Sequence, residues 1–347
     1  MIQDLMSKNN CNELHLQYDK DSGCTFIIAL NTVYGEKGNG GTLMFPYSNI
    51  EEGIKEATKL VNVMTKKCVV IGKKYNGGYS GGKGVIVGDA ATQKTPEMLK
   101  RFGKFVQTLK GRFQTGTDMN INLNDIDYMA QGSDYIDGLR GGLGDTATPT
   151  AFGVLLAMKE LCHWKYGSKN LNGRVIAVQG VGSVGRNLIQ RLIEERAEVI
   201  ATDVNEDLLQ SVKEEFGIKI VPPDEIYSVE CDIFSPNACG AILTEKNITK
   251  LRCKMVIGAA NNPLANELQS VIEMNKKGII YTPDYVINIG GVFLSMSELQ
   301  GKTYNYVLEK LQEIITFRIR QVIEEADQKD ETLFEAAERI ILKEMRQ

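Results

Sequence analysis

The sequence predicts an α/β protein of two domains, and three observations carry that prediction. Residues 174–203 read as strand, glycine turn, helix and strand in succession. Apolar runs alternate with amphipathic helical stretches through most of the remaining chain. The length, 347 residues, exceeds what a single hydrophobic core usually serves.

The first observation is the most specific. Residues 175–178 are an unbroken apolar run, suited to a strand buried on both faces of a parallel sheet. Gly180, Gly182 and Gly185 follow in GxGxxG spacing and open a helix with Val184, Leu188, Leu192 and Ile193 assigned to one face. The second strand, 199–202, ends on Asp203. Gly180 permits the tight turn, Gly182 lets backbone approach a pyrophosphate, and Gly185 brings helix and strand together. The free N–H groups at the helix start, at Ser183 and Val184, hold an anion. A carboxylate at Asp203 accepts from a ribose diol and repels a 2′-phosphate, which favours NAD over NADP. Strand, glycines, helix, second strand and acid agree in order, and together they predict a Rossmann doubly wound domain.

Before this motif the chain is mixed α/β. Cys24–Leu30 reads as a strand and GEKGNGG at 35–41 as a glycine-rich turn. Asn49 caps a helix with Ile54, Ala57, Val61 and Met64 on one face, running to Lys66 and Lys67. KKYNGGYSGGKG reads as a glycine-dense loop leading into a strand at 85–87. Thr95 and Pro96 start a helix through Met98, Phe102, Phe105 and Leu109, closed by Gly111, and Phe113 begins another strand. A helix from about Thr150 to Trp164 leads to the nucleotide motif. After Asp203, Asn205 caps a helix ended by Gly217, and 218–221, 233–234, 255–257 and 279–281 read as further strands. Ligands of doubly wound sheets bind at strand carboxyl ends, so the loops at 235–240, 258–263 and 283–292 are expected to face the cofactor. Helices are expected from Asn305 and from Thr332 onward. The domain bounds are placed at 1–140 with 325–347, and 141–324.

Composition narrows the class. A net charge of −4 argues against nucleic acid or an anionic membrane as partner. No apolar run approaches membrane-spanning length and the N-terminus has no signal-peptide core, so a cytoplasmic protein is expected. Cys11, Cys24, Cys68, Cys162, Cys231, Cys239 and Cys253 form no CxxC and read as reduced thiols. Neither His15 nor His163 has a ligand neighbour at helical spacing, so no metal site is expected, and proton transfer falls to Lys and Asp. Trp164 is expected to pack at a helix end. Lys67, Lys83 and Asp118 read as sitting at element ends beside glycine. A helix-end lysine can simply complement the dipole and an Asp can cap a turn, so spacing alone leaves both readings open.

Nine segments, in order, resemble one family. They are MTKK (64–67), GGKGVIVGD (81–89), GRFQTGTD (111–118), TAFGV (150–154), VQGVGSVG (178–185), ATDVN (201–205), CDIFSPNACGAIL (231–243), GAANNPL (258–264) and YTPDYVINIGGV (281–292). The family is the amino acid dehydrogenases of the Glu/Leu/Phe/Val type, with the leucine, phenylalanine and tryptophan enzymes nearest. The resemblance implies reversible NAD-dependent oxidative deamination of an aromatic or branched-chain L-amino acid to the 2-oxo acid and ammonia. It further implies a homo-oligomer and a site in the cleft between an N-terminal mixed α/β domain and the Rossmann domain.

By the same resemblance, Lys83 activates water as a low-pKa lysine and Asp118 exchanges protons with the amine, while Lys67 pairs with the substrate carboxylate. Substrate contacts are assigned to Gly41, Asn39, Met64, Gly116, Asn262, Val292 and Ser295. Cofactor contacts are assigned to Thr150, Gly180, Gly182, Ser183, Val184 and Gly185. Asp203, Asn237, Ala238, Ala260, Asn262 and Asn288 complete the cofactor set.

Four departures stand out: Leu43 where relatives carry arginine, a longer stretch between Lys67 and Lys83, GGLGDTAT before TAFGV, and polar Asn39 and Ser295 among the side-chain positions. An unpaired amide or hydroxyl facing a methyl group costs about 1–3 kcal/mol, so these two point to a polar or indole-type substrate. The departures also support a second reading, a relative that binds NAD as a regulatory protein without deaminating, and a third, reduction of a different imine.

Overall fold

The continuous apolar run CTFIIAL can bury both faces only if each face meets a separate layer, and this organises the first half of the chain. The computed structural model describes residues 2–138, 142–238 and 240–346. Cys239 and Gly141 of the GGLGDTAT segment lie outside the described residues. The chain divides into two compact units, one of 1–144, 292–304 and 343–347 and another of 145–291 and 305–342. The bounds expected from the sequence place the last helix wholly with the first domain, whereas most of it groups with the second unit.

In the first unit a short helix α1 (Ile2–Lys8) precedes β1 (Glu13–Asp19), β2 (Cys24–Leu30), β3 (Lys37–Asn39) and β4 (Thr42–Phe45). Then follow α2 (Ile50–Ile71), β5 (Tyr79–Val87), α3 (Pro96–Thr108), β6 (Phe113–Gln114) and α4 (Leu123–Ala130). The sheet runs β1-β2-β5-β3-β6, with β4 also on β5. β5 is antiparallel to β2 and parallel to β3 and β4, which meet successive stretches of the same edge. Along β2 the period of two sends Phe26, Ile28 and Leu30 toward Met98, Phe102, Val106 and Met129. Ile27 and Ala29 go to the other face, with Ile54, Ala57 and Val61 of α2. Phe26 and Phe102 meet edge to face with ring centroids 5.2 Å apart. Asn49 and Thr95 cap α2 and α3 as their sequences require.

Two expectations fail here for one reason, glycine. The expected turn at 35–41 contains the strand β3. The expected loop before 85–87 is mostly strand, since β5 begins at Tyr79 and is buried along nearly all its length. Glycine has low strand propensity, so these segments read as loops. The glycines are there because neighbouring groups come too close for a side chain. A Cβ on Gly38 would lie 2.7 Å from Leu30 Cδ2, and one on Gly40 would collide with the carbonyl oxygen of Gly82. α2 also continues past Lys67 to Ile71, so neither Lys67 nor Lys83 sits at an element end.

The second unit opens with α5 (Ala147–Tyr166), longer at both ends than expected. It continues through β7 (Val175–Gln179), α6 (Ser183–Glu194), β8 (Glu198–Thr202), α7 (Glu206–Phe216) and β9 (Lys219–Ile220). After a 3-10 turn at Ile226–Ser228 come β10 (Glu230–Pro236), α8 (Glu245–Lys250), β11 (Arg252–Val256), α9 (Glu267–Lys276), β12 (Ile280–Tyr281) and α10 (Asp284–Ile287). The unit division falls within α11 (Gly290–Leu299), and α12 (Tyr304–Lys329) and α13 (Leu333–Met345) finish the chain. All six strands are parallel in the order β12-β11-β10-β7-β8-β9, a doubly wound sheet whose order reverses between β7 and β10. Asn205 and Gly217 bound α7 as expected, with Gly217 at φ 65°. On α6 the buried face is Gly185, Leu188, Ile189 and Leu192; Ile193, expected there, is 37% exposed. Phe334 of α13 packs near Tyr281, and Glu338 accepts a hydrogen bond from Tyr285 at 2.5 Å, which ties α13 to this sheet. Trp164 donates to Asp327 at 3.1 Å from the last turns of α5. Cys11, Cys24, Cys68, Cys162, Cys231 and Cys253 are all free and buried.

The Gly40 contact yields a direct test. Gly40→Ala is expected to lower stability by about 1–3 kcal/mol, because backbone must move to admit a single methyl. Thermal unfolding checks it, and an unchanged midpoint would contradict the close approach of the strands.

Candidate active site

Lys83 lies mid-strand in β5 opposite Ala29, on the same face as Val85, which packs against α2. α2 carries Lys67, and both lysines are buried, at 5% and 4% exposure. A buried ammonium needs a counter-charge, and Asp118 supplies it through a direct ion pair to Lys83 Nζ. Asp118 sits in a reverse turn after β6, its backbone exchanging hydrogen bonds with Ile121 at 3.2 and 2.9 Å. Its Oδ1 accepts from the Met119 N–H at 2.6 Å. Burial pushes the Asp118 carboxyl up, but the Lys83 charge and hydrogen bond, the Met119 N–H and the Lys67 charge outweigh it and hold the carboxyl below the usual range. One third of its side chain remains accessible, 33%, so the carboxylate can meet a ligand while densely surrounded by protein atoms. A Cβ on Gly41 would stand 2.4 Å from the Thr117 carbonyl oxygen and 3.0 Å from Asp118 Oδ2, so the Gly41 backbone packs directly against the pair. Met64 Cε lies 3.4 Å from where a Cβ on Gly40 would stand.

The polar residues expected near a substrate side chain also come together in the first unit. Asn39 Nδ2 donates to Asp137 Oδ2 at 2.9 Å and to Ser295 Oγ at 3.2 Å, and Ser295 Oγ donates to the same Oδ2 at 2.7 Å. A Cβ on Gly116 would come no nearer than 3.3 Å to any atom, and that atom is the Asp137 carbonyl oxygen. Val292 lies one helical turn before Ser295 on α11 and is half-buried. Nothing in the sequence singles out Asp137 itself, because Asp followed by Gly reads as a turn. Burial pushes its carboxyl up to about 6 and the Glu298 charge adds to this, against the opposing pull of hydrogen bonding from Ser295, Asn39 and Gln114. Its Oδ1 is buried with no hydrogen-bond partner among the described residues.

Two departures from the family pattern resolve into packing. Leu43 is 4% exposed and sits in the apolar layer with Val85 and Val61. The stretch between Lys67 and Lys83 is ordered by Asn76, which donates to Tyr79 O at 2.9 Å and accepts from Gly78 N at 3.0 Å. Gln300 holds it further by donating to Tyr75 O at 3.1 Å.

In the second unit the nucleotide motif takes its expected form. Gly180 has φ 93°, and a Cβ there would lie 2.7 Å from Ala238 N, where the β7 and β10 carboxyl ends converge. Gly182 is the N-cap of α6 with no side chain capping it and open space above it. A Cβ on Gly185 would collide with the Gly180 carbonyl oxygen, which explains the close strand–helix packing. The uncapped first turn at Ser183 and Val184 and the unfilled space at Gly182 fit a dinucleotide pyrophosphate. Asp203 Oδ2 accepts from Val181 N at 2.8 Å and Oδ1 from Asn205 N at 2.9 Å. Both oxygens keep lone pairs for a ribose diol.

The remaining cofactor positions cross-link these loops. Asn237 donates to Ser235 and accepts from Ala259 N at 3.1 Å, Ala260 N donates to Pro236 O at 2.9 Å, and Asn288 donates to Ala259 O at 2.6 Å. Thr150 Oγ1 accepts from Gly291 N at 3.0 Å and donates to Thr146 O. Asn262 adopts φ 50° and its N–H points to Asp284 Oδ2 at 3.4 Å. Among the described residues no group of three or more His, Cys, Asp or Glu could hold a metal.

The chain also matches known proteins. The family model described as Glutamate/Leucine/Phenylalanine/Valine dehydrogenase matches residues 141–206 and 202–347. The model described as Glu/Leu/Phe/Val dehydrogenase, dimerisation domain, matches 10–135. The chain is 40% identical over 304 residues to phenylalanine dehydrogenase of Lysinibacillus sphaericus, covering 85% of this chain and 78% of that one. It is 37% identical over 338 residues to leucine dehydrogenase of Bacillus subtilis, covering 96% and 91%. Among solved structures, L-tryptophan dehydrogenase from Nostoc punctiforme superposes with TM-score 0.85 at 32% identity, covering 99% of this chain and 98% of that one.

The raised Asp137 carboxyl gives a pH-dependent expectation. A folded value near 6 against 3.8 unfolded means that ionisation opposes folding as pH rises from about 4 to 6 and by a constant amount above. Asp137→Asn is therefore expected to stabilise the protein by about 1–3 kcal/mol at pH 8 and by almost nothing near pH 4. Denaturant unfolding at the two pH values measures it; an equal effect at both would place the carboxyl in an ordinary environment.

Proposed function

The chain belongs to the Glu/Leu/Phe/Val dehydrogenase family, an amino acid oxidoreductase acting on a CH–NH2 group with a nicotinamide cofactor, and on that basis we propose how its residues divide the work. The reaction is oxidative deamination of an L-amino acid to its 2-oxo acid and ammonia, with an aromatic or branched-chain substrate, as the names of the relatives suggest. The observation that carries the assignment is the Lys83–Asp118 pair, buried on the lysine side and accessible on the carboxylate side, with Lys67 close enough to act on it.

Lys67 holds the substrate α-carboxylate by charge. Asp118, kept ionised at neutral pH, accepts a proton from the substrate ammonium and so frees the nitrogen lone pair. The bound nicotinamide supplies the acceptor for the hydride that leaves the α-carbon. Lys83 Nζ, once its own proton has passed to solvent, takes a proton from water as the oxygen adds to the iminium carbon. Asp118 then returns its proton to the amino group, and as ammonia leaves and the carbonyl forms Asp118 takes up the hydroxyl proton. The Lys83–Asp118 hydrogen bond gives that proton a path between the two groups. Asn262 and Thr150 position the nicotinamide end of the cofactor, and the Gly180–Gly185 turn holds its pyrophosphate. Asp203 accepts from the adenosine ribose and makes NAD the preferred cofactor.

The wider setting follows the same reading. The enzyme acts on small molecules in the cytoplasm, in keeping with its amino acid dehydrogenase relatives. No helix among the described residues is long and apolar enough to cross a membrane. A homo-oligomer assembled through the first unit is supported by the dimerisation-domain match at 10–135.

Replacing Lys83 by Ala or Asp118 by Asn is expected to lower kcat by about a hundred- to ten-thousand-fold, the usual range for losing a positioned acid or base. NADH fluorescence titration should give unchanged cofactor affinity, since the nucleotide groups lie in the other unit. Full turnover in Lys83→Ala would remove the assignment.

A further inference from the structure

The carboxylate of Asp137 is unexplained by the chemistry above. It is 7% exposed, lacks a lysine or arginine partner among the described residues, and leaves Oδ1 without a hydrogen bond. Asn39 and Ser295 both bind the other oxygen, so they fix the group in place. A Cβ on Gly116 would meet the Asp137 carbonyl oxygen at 3.3 Å and its Cβ at 3.5 Å, so Gly116 lies directly against this residue. Of the positions expected to face a substrate side chain, Asn39 and Ser295 bind this carboxylate and Gly116 packs against the same residue.

We propose that Asp137 determines substrate specificity, selecting L-amino acids whose side chain ends in a hydrogen-bond donor, an N–H, O–H or ammonium group, that reaches Oδ1. This rests on the dehydrogenase reading and refines its substrate class. Asn39, bound to the Asp137 carboxylate, and Gly41, against Asp118, are two residues apart in sequence. A donor four to six bonds beyond the α-carbon, as in an indole, a terminal amine or a phenol, suits such a side chain. A leucine or phenylalanine side chain would instead cover Oδ1 and leave a buried acceptor unpaired, and sites built around such an acceptor discriminate strongly against apolar analogues.

The test measures kcat/KM with NAD for L-tryptophan, L-tyrosine, L-ornithine, L-phenylalanine and L-leucine, in the wild type and in Asp137→Leu, Asp137→Asn and Asp137→Thr. The wild type is expected to favour at least one donor-bearing substrate over phenylalanine and leucine by about tenfold or more. Asp137→Leu should collapse that ratio at least tenfold and raise the rate on leucine. Asp137→Asn keeps an acceptor oxygen, so it should retain indole or phenol but lose ornithine if the natural group is a cation. If Asp137→Leu does not fold, the Thr variant reads the same ratio. A wild-type preference for leucine or phenylalanine, or an unchanged ratio in the folded variants, overturns the proposal. Should no amino acid be oxidised, the dehydrogenase reading fails on its own, and calorimetric binding of the same five amino acids in the presence of NADH still decides the question. Donor-bearing ligands binding more tightly supports Asp137's role; equal or weaker binding refutes it.

Discussion

A lysine in the middle of a buried strand is tolerable only where a carboxylate meets it, and Lys83 meets Asp118. Much of the first unit can be understood as the scaffolding for that meeting. β5 must run between β2 and the β3/β4 edge so that Lys83 points to the α2 face, where Lys67 waits. The turn after β6 must then return Asp118 to the same place, which its paired hydrogen bonds with Ile121 accomplish. The glycines of β3 and β5 let these backbones approach closely enough for short polar side chains to span the remaining distance. The two buried ammonium groups and the partly open carboxylate stand in one electrostatic balance, and disturbing any one of them changes the charge the others experience.

The nucleotide half is legible in the sequence because every local signal agrees. The apolar run before Gly180, the glycine spacing, the Asn205 cap and the Gly217 stop each obey a rule of backbone geometry that needs no distant partner. The substrate half is legible in its chemistry but not in its boundaries. Motif resemblance identifies Lys67, Lys83 and Asp118, whereas the two lysines lie inside their elements and not at the ends that the glycines suggest. Ser80, Gly81, Gly82 and Gly84 carry no strand signal of their own, and only the neighbouring strands make them a strand. Asp137 is invisible for a related reason: its hydrogen bonds come from Asn39 and Ser295, 98 and 158 residues away in sequence. Ile193 fails differently, since a helical-face assignment that includes it leaves out Ile189, the residue actually buried.

The departures from the family pattern also separate into two kinds. Leu43 and the 72–78 stretch are absorbed by packing and by the Asn76 and Gln300 hydrogen bonds, without touching Lys83 or Asp118. Asn39 and Ser295 are different, because they are bound to a third polar residue rather than to solvent or backbone. Polar substitutions that acquire a common partner form a mutually dependent constellation, in which removing the shared acceptor oxygen would deprive both donors at once.

Asp203 has an equally shared commitment. Its carboxylate receives the amide of Val181 inside the phosphate-binding turn and the amide of Asn205 at the start of α7. An ancestor or descendant drifting toward a phosphorylated cofactor could not simply discard this acid for a small neutral residue. Doing so would also loosen the turn that grips either dinucleotide. With Asp203 as the proposed ribose ligand, cofactor choice and cofactor grip would be inherited as one trait, and a lineage exchanging one coenzyme for the other would first have to acquire a substitute anchor for residue 181.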